Sequence, residues 1–211
     1  FHPEGLSFPI LRTQVGAQLL ALPATILTSP ATAFNLIMIA SLALSGLTAY
    51  LLGVALTGSR LAGALCGLVW AFFPNKMGHA LGGHLYQVSV FWLPLYGLSL
   101  WRLLGRPSVR RGLVTGFNAV LVASVHSVHV VYFLLPLTIA LLAADWMQKR
   151  PVYWTRQRLT AFGSATLLAV AVLMPLYWQV FGQAARGELG FMVASGAVGF
   201  SIDLASFVVP A

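Results

Sequence analysis

Residues 33–56 contain no charged side chain, and this stretch constrains the fold more than any other part of the sequence. It is longer than the roughly 20 apolar residues with which an α-helix crosses the hydrocarbon core of a bilayer. The whole chain is 59% hydrophobic and only 8% charged, whereas a soluble domain has roughly 25% charged residues. The sequence therefore predicts an integral membrane protein.

Six apolar stretches predict membrane-spanning helices, and they lie at residues 33–56, 61–73, 85–104, 112–127, 130–147 and 159–180. The ten-residue alternation of a membrane barrel strand is not seen, so the predicted fold class is all-α, a polytopic transmembrane helical bundle of about six spans. A shorter stretch at 15–30 contains Pro23. We predict that it lies in the interface or dips into the membrane as a re-entrant helix, with a seventh span as the alternative.

The predicted organisation is a single transmembrane domain. Residues 1–14 are predicted to be an external loop, residues 33–180 the six-span bundle, and residues 181–211 a second external segment. The chain begins without an initiator methionine and ends without a polar tail. These ends indicate an internal piece of a longer protein.

The charged residues separate into two groups when they are assigned to alternate sides of the predicted spans. One side receives nine basic residues and a single acid, Asp145, whereas the other receives three basic and three acidic residues. Loops rich in lysine and arginine stay in the cytoplasm, so the first side is predicted to be the cytoplasmic face of an inner membrane. Residues 1–14, 74–85 and 181–211 then lie on the non-cytoplasmic side. Because this rule explains the net charge, no nucleic-acid partner is predicted.

All five histidines fall at the predicted outer side, and they are His2, His79, His84, His126 and His129. Polar groups at membrane depth tend to line a cavity or a pathway, so the sequence predicts a site there. His79 and His84 are five residues apart, which is not the spacing that puts two metal ligands on one helix face. They are predicted substrate contacts, with a metal pair or simple loop hydrogen bonds as alternatives. His126 and His129 have the alternative of satisfying a helix end.

Charged residues of the same outer side supply the remaining candidates. Lys76 and Arg186 are predicted to contact a phosphate group, with loop solubility as the alternative. Glu4 and Asp203 are the candidate catalytic acids, although Asp203 follows Ser201 and has helix capping as its alternative. No metal ligand is assigned. The sequence contains no phosphate-binding glycine loop, HExxH, G-x-S-x-G or CxxC motif.

Residues 34–104 resemble a group of bacterial and archaeal membrane proteins related to the superfamily C glycosyltransferases. The resemblance rests on Asn35, "SG" at 45–46, "AYL" at 49–51, "AFFP" at 71–74, "GH" at 78–79 and 83–84, and "WLPL" at 92–95. In addition, "HPEG" at 2–5 is similar to the end of that family's first external loop. "SIDLASFVVP" at 201–210 is similar to a later external segment.

This resemblance implies transfer of a sugar from a polyprenyl-phosphate donor at the non-cytoplasmic face. The partners would be a lipid-linked sugar or another lipid substrate, together with membrane lipids. Such a reaction needs a base for the acceptor hydroxyl and a cation, either a divalent metal ion or a basic side chain, for the departing phosphate. In that family the key acid lies in the first external loop, which places it upstream of Phe1 and leaves Glu4 as the nearest candidate.

The alternative hypothesis is a non-catalytic integral membrane subunit that packs within a larger membrane complex. Gly63 with Gly67, and Gly112 with Gly116, have the small-xxx-small spacing that allows membrane helices to approach closely. This spacing, together with the absence of a catalytic dyad, is the support for this hypothesis in the sequence.

Overall fold

The computed structural model describes residues 15–126, 129–149 and 154–187. Within these ranges the chain is entirely helical apart from its short connections, and no strand is present. The helices are α1 (Val15–Leu27), α2 (Pro30–Thr57), α3 (Arg60–Phe72), α4 (Pro74–Leu81), α5 (Leu85–Val88), α6 (Trp92–Gly105), α7 (Val109–Val125), α8 (Leu135–Lys149) and α9 (Arg156–Ala185). A π-helical turn at Val130–Leu134 leads directly into α8.

Four helical stretches are long and apolar enough to cross a membrane, and they are Pro30–Thr57, Leu85–Gly105, Val130–Gln148 and Arg156–Trp178. This agrees with the predicted polytopic helical membrane protein. Helices α3 and α7 occupy the other two predicted spans, but they have only 13 and 17 residues. Helix α1 also has 13 residues and contains Pro23, so it is shorter than a helix that crosses a bilayer upright.

Local sequence signals explain where several of these helices begin and end. Ser29, Ser59 and Ser108 precede α2, α3 and α7, and each hydroxyl accepts a hydrogen bond from a backbone N–H in the first helical turn. Helix α2 ends at Gly58, whose φ of 70° is left-handed and therefore suits glycine. The chain turns back there into α3.

Glycine allows two pairs of helices to approach closely, as the small-xxx-small spacing predicts. A Cβ atom added to Gly67 of α3 would lie 2.7 Å from the carbonyl oxygen of Gly46 in α2. A Cβ atom added to Gly116 of α7 would lie 2.5 Å from the carbonyl oxygen of Ala165 in α9. Both contacts are with backbone, so only glycine fits without separating the helices.

Helix α6 forms the centre of the bundle. It supplies most of the buried core cluster, which comprises Leu93, Tyr96, Leu100, Leu103 and Leu104 of α6 with Val122 of α7 and Ala161 of α9. The Tyr96 hydroxyl and the Thr138 hydroxyl lie 2.6 Å apart and join α6 to α8. Large apolar side chains of α2 and α9 instead remain exposed, as expected for helices that face lipid.

The bundle has two chemically different ends. We call one the arginine end, because it carries Arg60, Arg102, Arg106, Arg110, Arg111, Arg156 and Arg158 near the ends of α2, α3, α6, α7 and α9. There, Arg158 donates hydrogen bonds to the Asp145 carboxylate at 2.7 Å and to the Leu104 carbonyl at 3.0 Å. The opposite end carries His79, His84, His126 and His129, and we call it the histidine end. Among the described residues, the arginines that were assigned to one side of the spans therefore lie at one end of the bundle.

Candidate functional site at the histidine end

The segment at 74–85 is not the open loop that the sequence predicts, because most of it forms α4. Pro74 occupies the first turn, where its missing N–H costs nothing. The helix ends at Gly82, and Gly83 takes a left-handed φ of 71°. This turn reverses the chain, so the backbone N–H of His84 donates to the His79 carbonyl at 2.9 Å.

The same reversal brings the two imidazole rings together. The Nδ1 atoms of His79 and His84 lie 3.0 Å apart, with ring centres separated by 5.3 Å. At this distance one Nδ1 carries a proton and donates it to the other. The five-residue spacing therefore produces a hydrogen-bonded pair through the end of α4, although it would separate the two rings on a continuous helix.

Tyr86 connects this pair to the other two histidines of the described chain. Its ring lies 6.0 Å from that of His84 and stacks on that of His126 at 4.9 Å. The rings of His126 and His129 are 5.8 Å apart. We call these four histidines and Tyr86 the histidine cluster. It joins segments that lie about forty residues apart in the sequence.

The cluster changes from exposed to buried along its length. His84 is exposed, whereas His129 is only 3% exposed. Burial lowers the pKa of His129 to about 4, and the neighbouring His126 contributes to this shift. Burial also lowers the pKa of His126. His129 is therefore neutral at pH 7, and its Nε2 lies 3.4 Å from Oε1 of Gln87.

A small polar cavity of about 40 Å³ adjoins His129. Its polar lining consists of Trp70, Asn75, Gln87, Ser89 and His129. The indole N–H of Trp70 is buried and has no hydrogen-bond partner within the described residues. The volume suffices for a few water molecules or one small polar group, and an acceptor there could satisfy the indole.

Irregular backbone borders this cavity on two sides. The stretch at 89–91 interrupts the helix between α5 and α6, and Ser89 is held there by a 2.9 Å hydrogen bond to Ser41 of α2. The π-helical turn at Val130–Leu134 follows His129 directly. In membrane proteins such irregular segments occur where they are buried or line a cavity, and π-helical turns are frequent at functional sites.

An apolar groove of about 640 Å³ shares Trp70, Leu93 and Phe133 with the polar cavity. The rest of the groove is lined almost entirely by apolar side chains of α2, α3, α6 and α8. The two spaces therefore have common walls. The groove is suited to a hydrocarbon chain, and the cavity is suited to a polar group.

Lys76 points inward rather than toward solvent, and only 1% of its surface is exposed. Its Nζ donates to the Trp70 carbonyl at 3.3 Å and lies 5.7 Å from the centre of the Trp70 ring. Burial lowers its pKa to about 8. The solubility alternative thus does not describe Lys76. In this arrangement it anchors Trp70, which lines both the cavity and the groove.

Lys76→Met is expected to stabilise the protein at pH 7 by about 1–2 kcal/mol. The lowered pKa means that burial of the charged Lys76 costs the fold free energy, and this cost is absent from the variant. The expected gain is smaller than this cost because the variant also loses the hydrogen bond of Lys76. The unfolded chain binds more protons than the folded one between pH 8 and 10.5, so wild-type stability should rise through that window and the difference should shrink. Thermal unfolding in detergent at several pH values measures this. Arg60→Met, which removes an exposed charge, is the control, and a destabilised Lys76→Met at pH 7 would contradict the expectation.

Of the remaining candidate site residues, only Arg186 lies within the part of the chain that the structure describes. Arg186 is exposed just after the end of α9, and its backbone N–H bonds to the Gly182 carbonyl at 3.3 Å. It belongs to the histidine end, because Tyr177 of the same helix donates to the carbonyl of Ala123, close to His126. Glu4 and Asp203 lie outside the described residues, as does His2.

Metal binding remains a prediction. In the ranges that the structure describes, no group of three or more histidine, cysteine or acidic side chains is arranged to hold a metal ion. The His79–His84 pair instead satisfies itself by a hydrogen bond.

Several residues of this site carry no distinguishing signal in the sequence. Ser89 and Trp70 lie within or beside apolar stretches and look like ordinary span residues. Tyr86 resembles any interfacial aromatic residue. Only the fold shows that Ser89 and Trp70 border one polar cavity and that Tyr86 connects the histidines beside it.

No family model, curated protein or solved structure matches this chain significantly. The class that the fold defines is a helical membrane protein with a small polar cavity beside a histidine cluster, and the resemblance to glycosyltransferases stays a prediction.

Proposed function

We propose that the protein acts on a polyprenyl-phosphate-linked sugar at its histidine end, as part of a glycosyltransferase-like activity. The observation that carries this proposal is the shared wall between the polar cavity and the apolar groove, next to four histidines. A lipid-linked sugar has a long hydrocarbon tail and a polar head. The tail would lie in the groove, one small polar group of the head would enter the cavity, and the rest of the head would lie over the histidine cluster.

In this proposal the tail lies in the groove and the phosphate lies near the outer part of the histidine cluster. His84 is exposed, and in its pairing with His79 the ring that accepts at Nδ1 carries its proton on Nε2 and can donate it to the phosphate, whereas the Nε2 of the other ring is an acceptor. Arg186 supplies a cation at the same end. The buried Lys76 contributes positive charge from the interior of the protein, and its hydrogen bond holds Trp70 in place. A divalent metal ion could share the task of holding the departing phosphate.

The catalytic acid of this proposal comes from outside the described residues. Asp145 is the only acid within them, and it is paired with Arg158 at the arginine end. The Glu4 or Asp203 carboxylate would take the proton from the acceptor hydroxyl.

The proposed setting is the inner membrane, with the histidine end on the non-cytoplasmic side. Here α3 and α7 complete a six-span arrangement with the four long helices, and α1 lies at the interface. The positive-inside rule supports this orientation, because the arginine end carries the basic residues.

Binding of a lipid-linked sugar tests this proposal directly. Full-length protein in liposomes is mixed with radiolabelled polyprenyl-phosphate mannose, and the retained lipid and any sugar transfer are measured. His79→Ala combined with His84→Ala should weaken binding about tenfold or more, because the one Nε2–H of the pair that can donate to a charged phosphate is lost at about 1.4 kcal/mol. Transfer should fall at least as much.

Thr160→Ala is the matched control, since Thr160 is an exposed polar residue of α9 whose hydroxyl donates to the nearby Gln157 carbonyl. It should bind like the wild type. Equal binding by the double histidine variant and the wild type would overturn the proposal. If the wild type neither binds nor transfers, but copurifies with other membrane proteins, the alternative of a non-catalytic subunit in a larger complex is favoured.

A further inference from the structure

A second, much larger cleft opens at the arginine end, between α6 and α7. It has a volume of about 990 Å³ and is lined by Arg102 and Arg106 near the end of α6 and by Arg110 and Arg111 at the start of α7. Gln157 of α9 contributes to the same wall. We call this space the arginine cleft. It lies at the opposite end of the bundle from the histidine cluster and shares no lining residue with it.

The four arginines bring four positive charges to one cleft without a carboxylate to balance them. Asp145 is the only acid in the described ranges, and its carboxylate is paired with Arg158. The Arg111 guanidinium also donates to the Arg106 carbonyl, which holds it at the cleft. The start of α7 adds the partial positive charge of a helix N-terminus. The cleft is therefore complementary to an anion.

Asn118 provides an independent indication of a ligand. It is only 7% exposed, lines the cleft, and has no hydrogen-bond partner for its side chain among the described residues. Its amide atoms are not among the fully enclosed polar atoms of the described residues, so the amide is open to the cleft and can bond a polar group that enters it. Asn118 lies two helical turns along α7 from Arg111, so it faces the deeper part of the cleft.

The walls become apolar with depth. Leu95 and Leu98 continue the α6 face that carries Arg102, and Val114 lies between Arg111 and Asn118 on α7. The cleft thus presents charge at its mouth, then apolar surface, and one polar amide inside. A soluble phosphate would use only the mouth, whereas a glycerophospholipid also has acyl chains for the apolar walls and ester carbonyls that can accept from the amide.

We propose that the arginine cleft binds an anionic glycerophospholipid of the surrounding membrane. The arginine guanidinium groups bind the headgroup phosphate through paired hydrogen bonds. The Asn118 amide donates to an ester carbonyl, and an acyl chain lies against Leu95, Leu98 and Val114. Basic pockets between membrane helices are known sites for such headgroups. This proposal does not depend on the function proposed for the histidine end.

The test uses full-length protein in an uncharged detergent, titrated with fluorescent phosphatidylglycerol and, separately, with fluorescent phosphatidylcholine. Wild-type protein should bind phosphatidylglycerol at least tenfold more tightly than phosphatidylcholine. Phosphatidylglycerol should also raise its thermal stability, because the ligand binds the folded state. Arg102→Gln combined with Arg110→Gln removes one exposed arginine from each wall and should weaken binding about tenfold or more. Asn118→Leu should weaken it severalfold without changing the net charge.

Arg60→Gln combined with Arg156→Gln is the matched control, because both arginines are exposed at the same end but do not line the cleft. This pair loses the same charge and should bind within twofold of the wild type. Equal weakening by the two pairs would show attraction by net charge alone and overturn the proposal. Displacement of the lipid by millimolar inorganic phosphate would also overturn it, in favour of a soluble anion site. A wild-type protein that does not distinguish the two lipids rejects the proposal without any variant.

Discussion

Replacing Asp145 with leucine is expected to lower the free energy of unfolding by about 3–5 kcal/mol, the largest effect anticipated for a single substitution in this chain. The Asp145 carboxylate accepts a 2.7 Å hydrogen bond from Arg158, and both side chains are less than a tenth exposed. The substitution leaves the Arg158 guanidinium buried without its counter-charge. Because Arg158 also donates to the Leu104 carbonyl, the disturbance reaches the contact of α9 with α6.

Unfolding by chemical denaturant in mixed micelles measures this loss. Asp145→Leu combined with Arg158→Met removes both charges and should recover most of the stability, because replacing a complete buried pair with apolar groups is often nearly neutral. The expectation is contradicted if the free energy of unfolding of Asp145→Leu lies within about 1 kcal/mol of the wild-type value. It is also contradicted if the double variant is as unstable as Asp145→Leu alone.

Gly116→Ala is the second large expected effect, with a loss of about 1–3 kcal/mol from overpacking. The added methyl group would meet the carbonyl oxygen of Ala165 at 2.5 Å and its Cα at 3.0 Å. These are backbone atoms of a neighbouring helix and cannot rotate away. Helices α7 and α9 must therefore separate along their whole contact, which also strains the hydrogen bond between Tyr177 and Ala123.

Gly163→Ala is the matched control for this prediction. Gly163 lies in α9, is exposed, and has no atom within 4 Å of the position that its Cβ would take. The same chemical change should therefore leave the melting temperature unchanged or slightly raised, since alanine favours a helix over glycine. If both alanine variants behave alike, close packing between α7 and α9 does not limit stability.

Most of the helical architecture could be predicted from residue order. Long apolar stretches at 33–56, 130–147 and 159–180 must form helices in a membrane, because no other arrangement satisfies each backbone group within the segment. The predicted bounds agree to within about five residues with α2, with the π-helical turn and α8 taken together, and with α9. Length alone does not decide the shorter stretches, because an apolar stretch such as 61–73 fits either a membrane span or a helix inside the protein.

The candidate sites were less accessible to prediction. His79 and His84 are five residues apart, and a periodicity argument treats them as separate. The reversal after α4 depends on Gly83, whose left-handed conformation becomes evident only in the fold. Lys76 similarly looks like an exposed loop cation in the sequence, although it lies buried against Trp70.

Sequence alone determined that this chain is a helical membrane protein, and it separated the basic residues from the histidines, because both properties follow from local composition and from the alternation of spans. Tertiary structure alone decided what each end contains. The contact of Tyr86 with His126, and the position of Asn118 behind four arginines, depend on how distant helices pack. Interactions between residues far apart in the sequence leave no periodic pattern in it. These two sites therefore follow from the packing of the helices and not from the residue order.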